Sequence, residues 1–174
     1  IGYGMDMLYD DDALTLLEMQ SALKNSPFNT ENKLAFVGFD ACLMSSAELC
    51  CTWSDYAEYL IASQEIEPSF GWDYAFLKDL CNAEVSTVSE TIVNTYLDTC
   101  EKYYEKKGYE DRDTTLACMD LSKTNELKTA IENLFSKASD DVNAVKSKVE
   151  NIAATSTYSW TPMPDDYMKA ATLF

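Results

Sequence analysis

Leu34-Ala35-Phe36-Val37-Gly38-Phe39-Asp40-Ala41-Cys42-Leu43-Met44-Ser45-Ser46-Ala47-Glu48 is the stretch that decides the fold. It predicts a strand from Lys33 to Phe39, whose unbroken apolar run suggests burial on both faces, as in a parallel sheet. A short polar break follows, then a helix over Ser45 to Thr52. Cys42 therefore stands at the carboxyl end of a strand, where open α/β sheets place their ligands. It also stands near a helix N-terminus, whose dipole and N–H groups favour a thiolate. The residue is either a nucleophile or a small apolar side chain closing a strand. A cysteine nucleophile usually needs a base, and the chain has no histidine.

On the N-terminal side, Asp10-Asp11-Asp12 before Ala13 suits a helix start. The helix is expected from about Ala13 to Lys24, with Leu16, Leu17 and Leu23 inward, ended by Asn25 and Pro27. On the C-terminal side, Tyr59 to Ser63 reads as a second strand. A loop over Gln64 to Asp73 leads to a helical stretch at Tyr74 to Cys81. Thr87-Val88-Ser89-Glu90 has the form of a capping box. It should open a long helix with Val88, Ile92, Tyr96, Cys100 and Tyr103 on one stripe, ending at Gly108. Thr114 to Met119 reads as a third strand. Helices over about Ser122–Ala138 and Asp140–Ala154 follow, the second with a seam of Val142, Val145, Val149 and Ile152. Alternating helices and short apolar strands give the α/β class, with a mostly parallel sheet flanked by helices. No repeat or linker divides residues 1–174, which read as one domain truncated at both ends, with 155–174 unplaced.

The 174 residues carry a net charge of −17. Such a field repels phosphates and disfavours nucleic acid as a partner. It either attracts a cationic peptide or only serves solubility. No transmembrane run and no signal peptide are visible. The six cysteines are irregularly spaced, with no CxxC pair to suggest zinc. Cys100 and Cys118 fall on apolar positions of a helix and a strand and read as buried thiols. No phosphate loop, dinucleotide fingerprint or Gly-x-Ser-x-Gly elbow occurs. Aromatic residues do not interleave with Lys or Arg as a stacking platform would require.

Phe39-Asp40-Ala41-Cys42-Leu43-Met44-Ser45-Ser46-Ala47-Glu48 resembles the nucleophile motif of the clostripain family of cysteine peptidases. Ala62-Ser63-Gln64-Glu65, with Glu67-Pro68 and Gly71-Trp72-Asp73-Tyr74, is similar to that family's following strand and loop. Leu116-Ala117-Cys118-Met119-Asp120-Leu121-Ser122-Lys123 is similar to a later strand-to-helix junction. The resemblance implies a caspase-like fold and a peptidase that cuts after Arg or Lys. It implies Cys42 as nucleophile, paired with a histidine on an upstream, light-chain-like segment outside this chain. Ile1 would then be the first residue of a heavy chain, or the edge of a shortened one. The family's pattern also implies that Asp40 lines the pocket for the basic side chain. A turn-forming Asx or N-cap role for Asp40 is the alternative. Asp73 is a second candidate for the same pocket, or an N-cap for the helix after it, and Trp72 is placed near the substrate. Glu65 and Glu67 could bind a cation or the basic substrate, although loop glutamates are more often solvated. No cofactor is required. Calcium is left open without a site, because Asp10-Asp11-Asp12 lacks EF-hand spacing. The partner is a peptide or protein carrying a basic residue, and a secreted or cell-surface location is implied. The rival function is a non-catalytic acidic module that binds a basic segment of a partner.

Overall fold

The computed structural model describes residues 3–78, 80, 83–108, 114–138, 143 and 146–148. Residues 1–124 and 125–174 form two units. The first begins with a hairpin of β1 (Tyr3–Asp6) and β2 (Asp12–Leu14). Asp10 and Asp11 both have φ near +60°, at 58° and 59°, and the Asp12 N–H donates to the Tyr9 carbonyl at 3.1 Å. The acidic run is thus a hairpin turn, which aspartate tolerates in the left-handed region, and not the helix start expected of it.

The helix α1 runs Leu16–Lys24 and is opened by Thr15. The Thr15 hydroxyl oxygen accepts from the Glu18 N–H at 3.3 Å, and the Glu18 carboxylate accepts from the Thr15 N–H at 2.8 Å. Met19 and Leu23 are buried, whereas Leu17, expected inward, is exposed. A frame set by Thr15 turns position 17 outward.

The main sheet has three strands in the order β3 (Leu34–Gly38), β4 (Ala57–Ala62) and β5 (Ala117–Asp120). β3 pairs parallel to β4, with Phe36 opposite Tyr59 and Gly38 opposite Ile61, and β5 runs antiparallel to β4. The sheet is therefore mixed. The central strand β4 is the more buried one, with Leu60, Ile61 and Ala62 at 0% exposure and only Glu58 exposed. β3 has one neighbour among the described residues and is only half-buried, with Ala35 exposed.

Helices cover both faces. Leu60 and Ala62 join Met19 of α1 and Leu49 and Cys50 of α2 (Ala47–Trp53) in one core cluster. Ile61, pointing the other way as strand alternation requires, packs with Val88, Ile92, Tyr96 and Cys100 of α3 (Val85–Lys107). Those four stripe positions and the end at Gly108, with φ of +68°, match the expectation, whereas Tyr104 rather than the expected Tyr103 packs against the cluster. The start does not. Thr87 lies inside the helix, Glu84 precedes it without a side-chain cap, and the Thr87 carbonyl accepts from the Thr91 hydroxyl at 2.8 Å. Tyr74–Lys78 is a short 3-10 helix. Cys118 is exposed where a buried thiol was expected, while Cys100 is buried.

The helix α4 spans Thr124–Ala138. Of the last expected helix, positions 143 and 146–148 are described and helical. Its seam of Val142, Val145, Val149 and Ile152, like residues 155–174, lies outside the described residues.

Candidate active site

The sheet edge is built by the end of β3. The Phe39 N–H continues the parallel ladder by donating to the Ile61 carbonyl at 2.9 Å. Its buried ring meets Tyr3 and Trp53 edge-on, with centroids at 5.3 and 5.8 Å. This anchor brings Asp40 and Cys42 out at the carboxyl end of β3. The chain then runs beside the segment after β4: the Leu43 N–H donates to the Glu65 carbonyl at 3.1 Å, and the Ser45 N–H to the Ser63 carbonyl at 2.8 Å. Leu43 sits at φ +61°, a left-handed residue just after the cysteine.

Cys42 is exposed. Its Sγ accepts the Glu67 N–H at 3.2 Å and lies 3.7 Å from the Glu67 carbonyl oxygen. The expected helix N-terminus stands farther off, because α2 begins only at Ala47 behind its N-cap Ser46. The thiol is held by one backbone unit of the facing loop instead.

Asp40 turns into that loop. Its Oδ2 accepts the Trp72 N–H at 2.9 Å and the Tyr74 hydroxyl at 2.8 Å. Gly71, with φ of +70°, makes the approach possible: a Cβ there would stand 2.7 Å from Asp40 Oδ2. Although Tyr74 is about half-exposed, partial desolvation of its hydroxyl, then the hydrogen bond to Asp40 and the Asp40 charge, pushes the phenol up to about 12.

Glu67 is the residue that sequence patterns undervalue. It is 7% exposed, not a solvated loop charge. Its Oε2 accepts the Trp72 indole N–H at 3.1 Å, and its Oε1 has no partner among the described residues. Burial first, then the charge of Asp40, pushes its carboxyl up to about 7, against the indole hydrogen bond. A buried carboxylate close to another carboxylate disfavours its ionised form for both reasons.

Trp72 is the buried joint between the two acids, with its backbone on Asp40 and its indole on Glu67. The ring packs over Gly38 of β3, where a Cβ would meet it at 2.9 Å. Asp73 is exposed, and its Oδ1 accepts the Ala75 N–H at 2.9 Å, the capping alternative expected for it. The structure thus brings Cys42, Asp40 and Trp72 together and gives Asp73 a local turn bond. Tyr74, Gly71 and Glu67 complete the group. Local patterns alone do not place them, because Gly71 and Tyr74 meet Asp40, and the Glu67 backbone meets Cys42, across long sequence separations.

The arrangement presents a reachable thiol beside two carboxyls. Thiolate is a nucleophile, and a carboxylate pair favours a cationic ligand. Among the described residues no group of three or more Cys, Asp or Glu is arranged to hold a metal ion, and none of their helices is long and apolar enough to cross a membrane.

Comparison with known proteins gives the group its relatives. The model of the clostripain family matches residues 2–170. No match is found among the curated proteins. Among solved structures, a clostripain from Bacteroides thetaiotaomicron in complex with a peptide inhibitor is 20% identical, covering 76% of this chain and 53% of its own, with a TM-score of 0.58. A secreted C11 cysteine protease from the same organism, in complex with an irreversible peptide inhibitor, is 23% identical, covering 76% and 37%, with a TM-score of 0.60. An inactive zymogen C11 protease from Parabacteroides distasonis is 22% identical, covering 78% and 35%, with a TM-score of 0.55. The shared feature is the fold, a caspase-like sheet flanked by helices. The chain spans about half or less of the length of these solved chains.

Proposed function

We propose that this chain, which belongs to the clostripain family, is the nucleophile-bearing part of a cysteine endopeptidase that cuts after Arg or Lys. The observation that carries this is the exposed Cys42 thiol, held on the Glu67 backbone two residues from the Asp40 carboxylate. A relative bound to an inhibitor of sequence VLTK supports a basic side chain before the scissile bond.

Cys42 Sγ attacks the scissile carbonyl carbon and forms a thioester as the amine leaves. The proton goes to a histidine on a segment outside this chain, which passes it to the leaving nitrogen. Water then hydrolyses the thioester. The Cys42 N–H contributes to holding the oxyanion. Asp40 pairs with the guanidinium or ammonium group through the oxygen it does not spend on the loop. The substrate is a peptide or protein with an accessible basic residue. Secretion fits the description of one relative as a secreted protease.

The second function, an acidic module that binds a basic segment without cutting it, is supported by the net charge of −17. A fluorogenic Arg substrate, offered to the full-length protein and its Cys42→Ala variant, separates the two. The peptidase requires turnover that the variant abolishes. If both proteins are equally silent while a basic peptide still binds, the module stands.

A further inference from the structure

We propose that Glu67 is a specificity-determining residue of this site: it shares one proton with Asp40 while the site is empty, and an entering guanidinium or ammonium group expels that proton. The inference rests on Asp40 being the acid that receives the basic side chain.

Three observations carry it. Glu67 is buried, with its Oε1 unpartnered among the described residues. An ionised carboxylate left bare in that position is costly, and a proton on it turns the bare acceptor into a donor. The acceptor at hand is Asp40: Trp72 ties the two acids together, with its backbone N–H on Asp40 and its indole N–H on Glu67, and the Asp40 charge bears on Glu67. Asp40 Oδ2 already takes two donors, whereas Oδ1 takes none among the described residues. Among the described residues, the other ionisable groups that bear on Glu67 include Tyr74, Tyr96 and Cys100, together with the Cys42 thiol on its backbone. Each of these is neutral or becomes negative on titration, so none of them favours an ionised Glu67.

The exchange balances. The protonated form of the empty site holds one carboxyl, one carboxylate and one proton between them, and at pH 7 about half of the empty sites are in that form. The occupied site holds two carboxylates against one cation, and the proton leaves to solvent. No covalent bond changes except that O–H. A neutral side chain cannot drive the exchange and would be refused by the unneutralised pair, which makes Glu67 a filter as well as a counter-ion.

Agmatine, a guanidinium on an aliphatic chain, is the probe. It is titrated calorimetrically into the active full-length protein at pH 7, in phosphate and in Tris, whose ionisation heats differ. With a Glu67 carboxyl titrating at about 7, about half a proton should be released per agmatine bound. The Glu67→Gln variant should release none and should bind at least roughly tenfold more weakly. The same variant should raise KM for Arg substrates and flatten its pH dependence, with kcat little changed. Should the variant not fold, the protonated-carboxyl band in the infrared spectrum of the wild type must disappear on adding agmatine. Binding with equal, buffer-independent heats in both proteins overturns the shared proton and leaves the basic pocket standing. Failure of folded, active wild type to bind agmatine overturns the pocket and this inference with it.

Discussion

Gly71→Ala tests the junction between the Asp40 carboxylate and the facing loop. The perturbation has two parts. An L-residue at φ +70° costs about 1–2 kcal/mol in the left-handed region. The added Cβ would also stand 2.7 Å from Asp40 Oδ2, so the carboxylate must withdraw from the Trp72 N–H and the Tyr74 hydroxyl. Hydrogen bonds to a charged acceptor contribute about 1.5–3 kcal/mol, and the exposed Tyr74 belongs at the bottom of that range or below it. The total should be roughly 3–5 kcal/mol. In an Asp40→Ala background the obstructing carboxylate is gone, and Gly71→Ala should cost only the backbone part, about 1–2 kcal/mol. A double-mutant cycle by urea denaturation of the full-length protein should therefore give a coupling of roughly 2–3 kcal/mol. If the two single costs add within about 0.5 kcal/mol, Asp40 is not seated on Gly71 and the site geometry derived from that contact fails.

Two other perturbations address separate parts of the fold. The folded Glu67 carboxyl is raised from its ordinary 4.5 to about 7, so it stabilises the fold while protonated, and that contribution is lost as pH rises from about 4.5 through 7. At about 1.4 kcal/mol per pH unit, wild type should lose roughly 2–3 kcal/mol between pH 5 and pH 8 relative to Glu67→Gln; parallel stability curves would refute the raised carboxyl. Thr15→Ala removes the reciprocal cap of α1 and should cost about 1 kcal/mol in denaturant unfolding, with Thr15→Ser restoring most of it; an unchanged midpoint would show that the cap carries no stability.

Legibility in the sequence followed the range of the interactions. The strand before Cys42, and the stripe from Val88 to Cys100, are written in local apolar spacing, and both are present. The ends of helices were harder, because short capping patterns recur by chance. Thr87-x-x-Glu90 has the form but lies within a helix already begun at Val85. Thr15-x-x-Glu18 performs the function, behind an acidic run that imitates a helix start and is in fact a hairpin turn. The site was half readable. Asp40 and Cys42 sit on one strand end and are marked by their neighbours. Glu67 was not readable as a buried acid, since its burial depends on Trp72 folding over Gly38, and no local pattern encodes that. Asp40 makes neither the local Asx turn nor the N-cap weighed for it; its Oδ2 holds the loop at Trp72 and Tyr74 instead.

The burial of Glu67 has its cause in the same loop. Its N–H must meet the thiol of Cys42, and Trp72, five residues on, must place its N–H on Asp40. These two backbone bonds fix both ends of the segment against a single strand end. With the ends fixed, the Trp72 ring fills the space over Gly38, and the Glu67 side chain is enclosed beside it with one oxygen satisfied. An apolar residue at position 67 would relieve the bare oxygen but would leave the indole N–H buried without an acceptor. Glutamine would serve the indole equally well and carry no charge problem, so the structural demand alone does not call for an acid. What an acid adds is a proton that can leave and a charge that then remains, next to the Asp40 carboxylate proposed to receive a cation. A local cost of this kind, kept where a neutral residue would satisfy the packing, is characteristic of positions held for function.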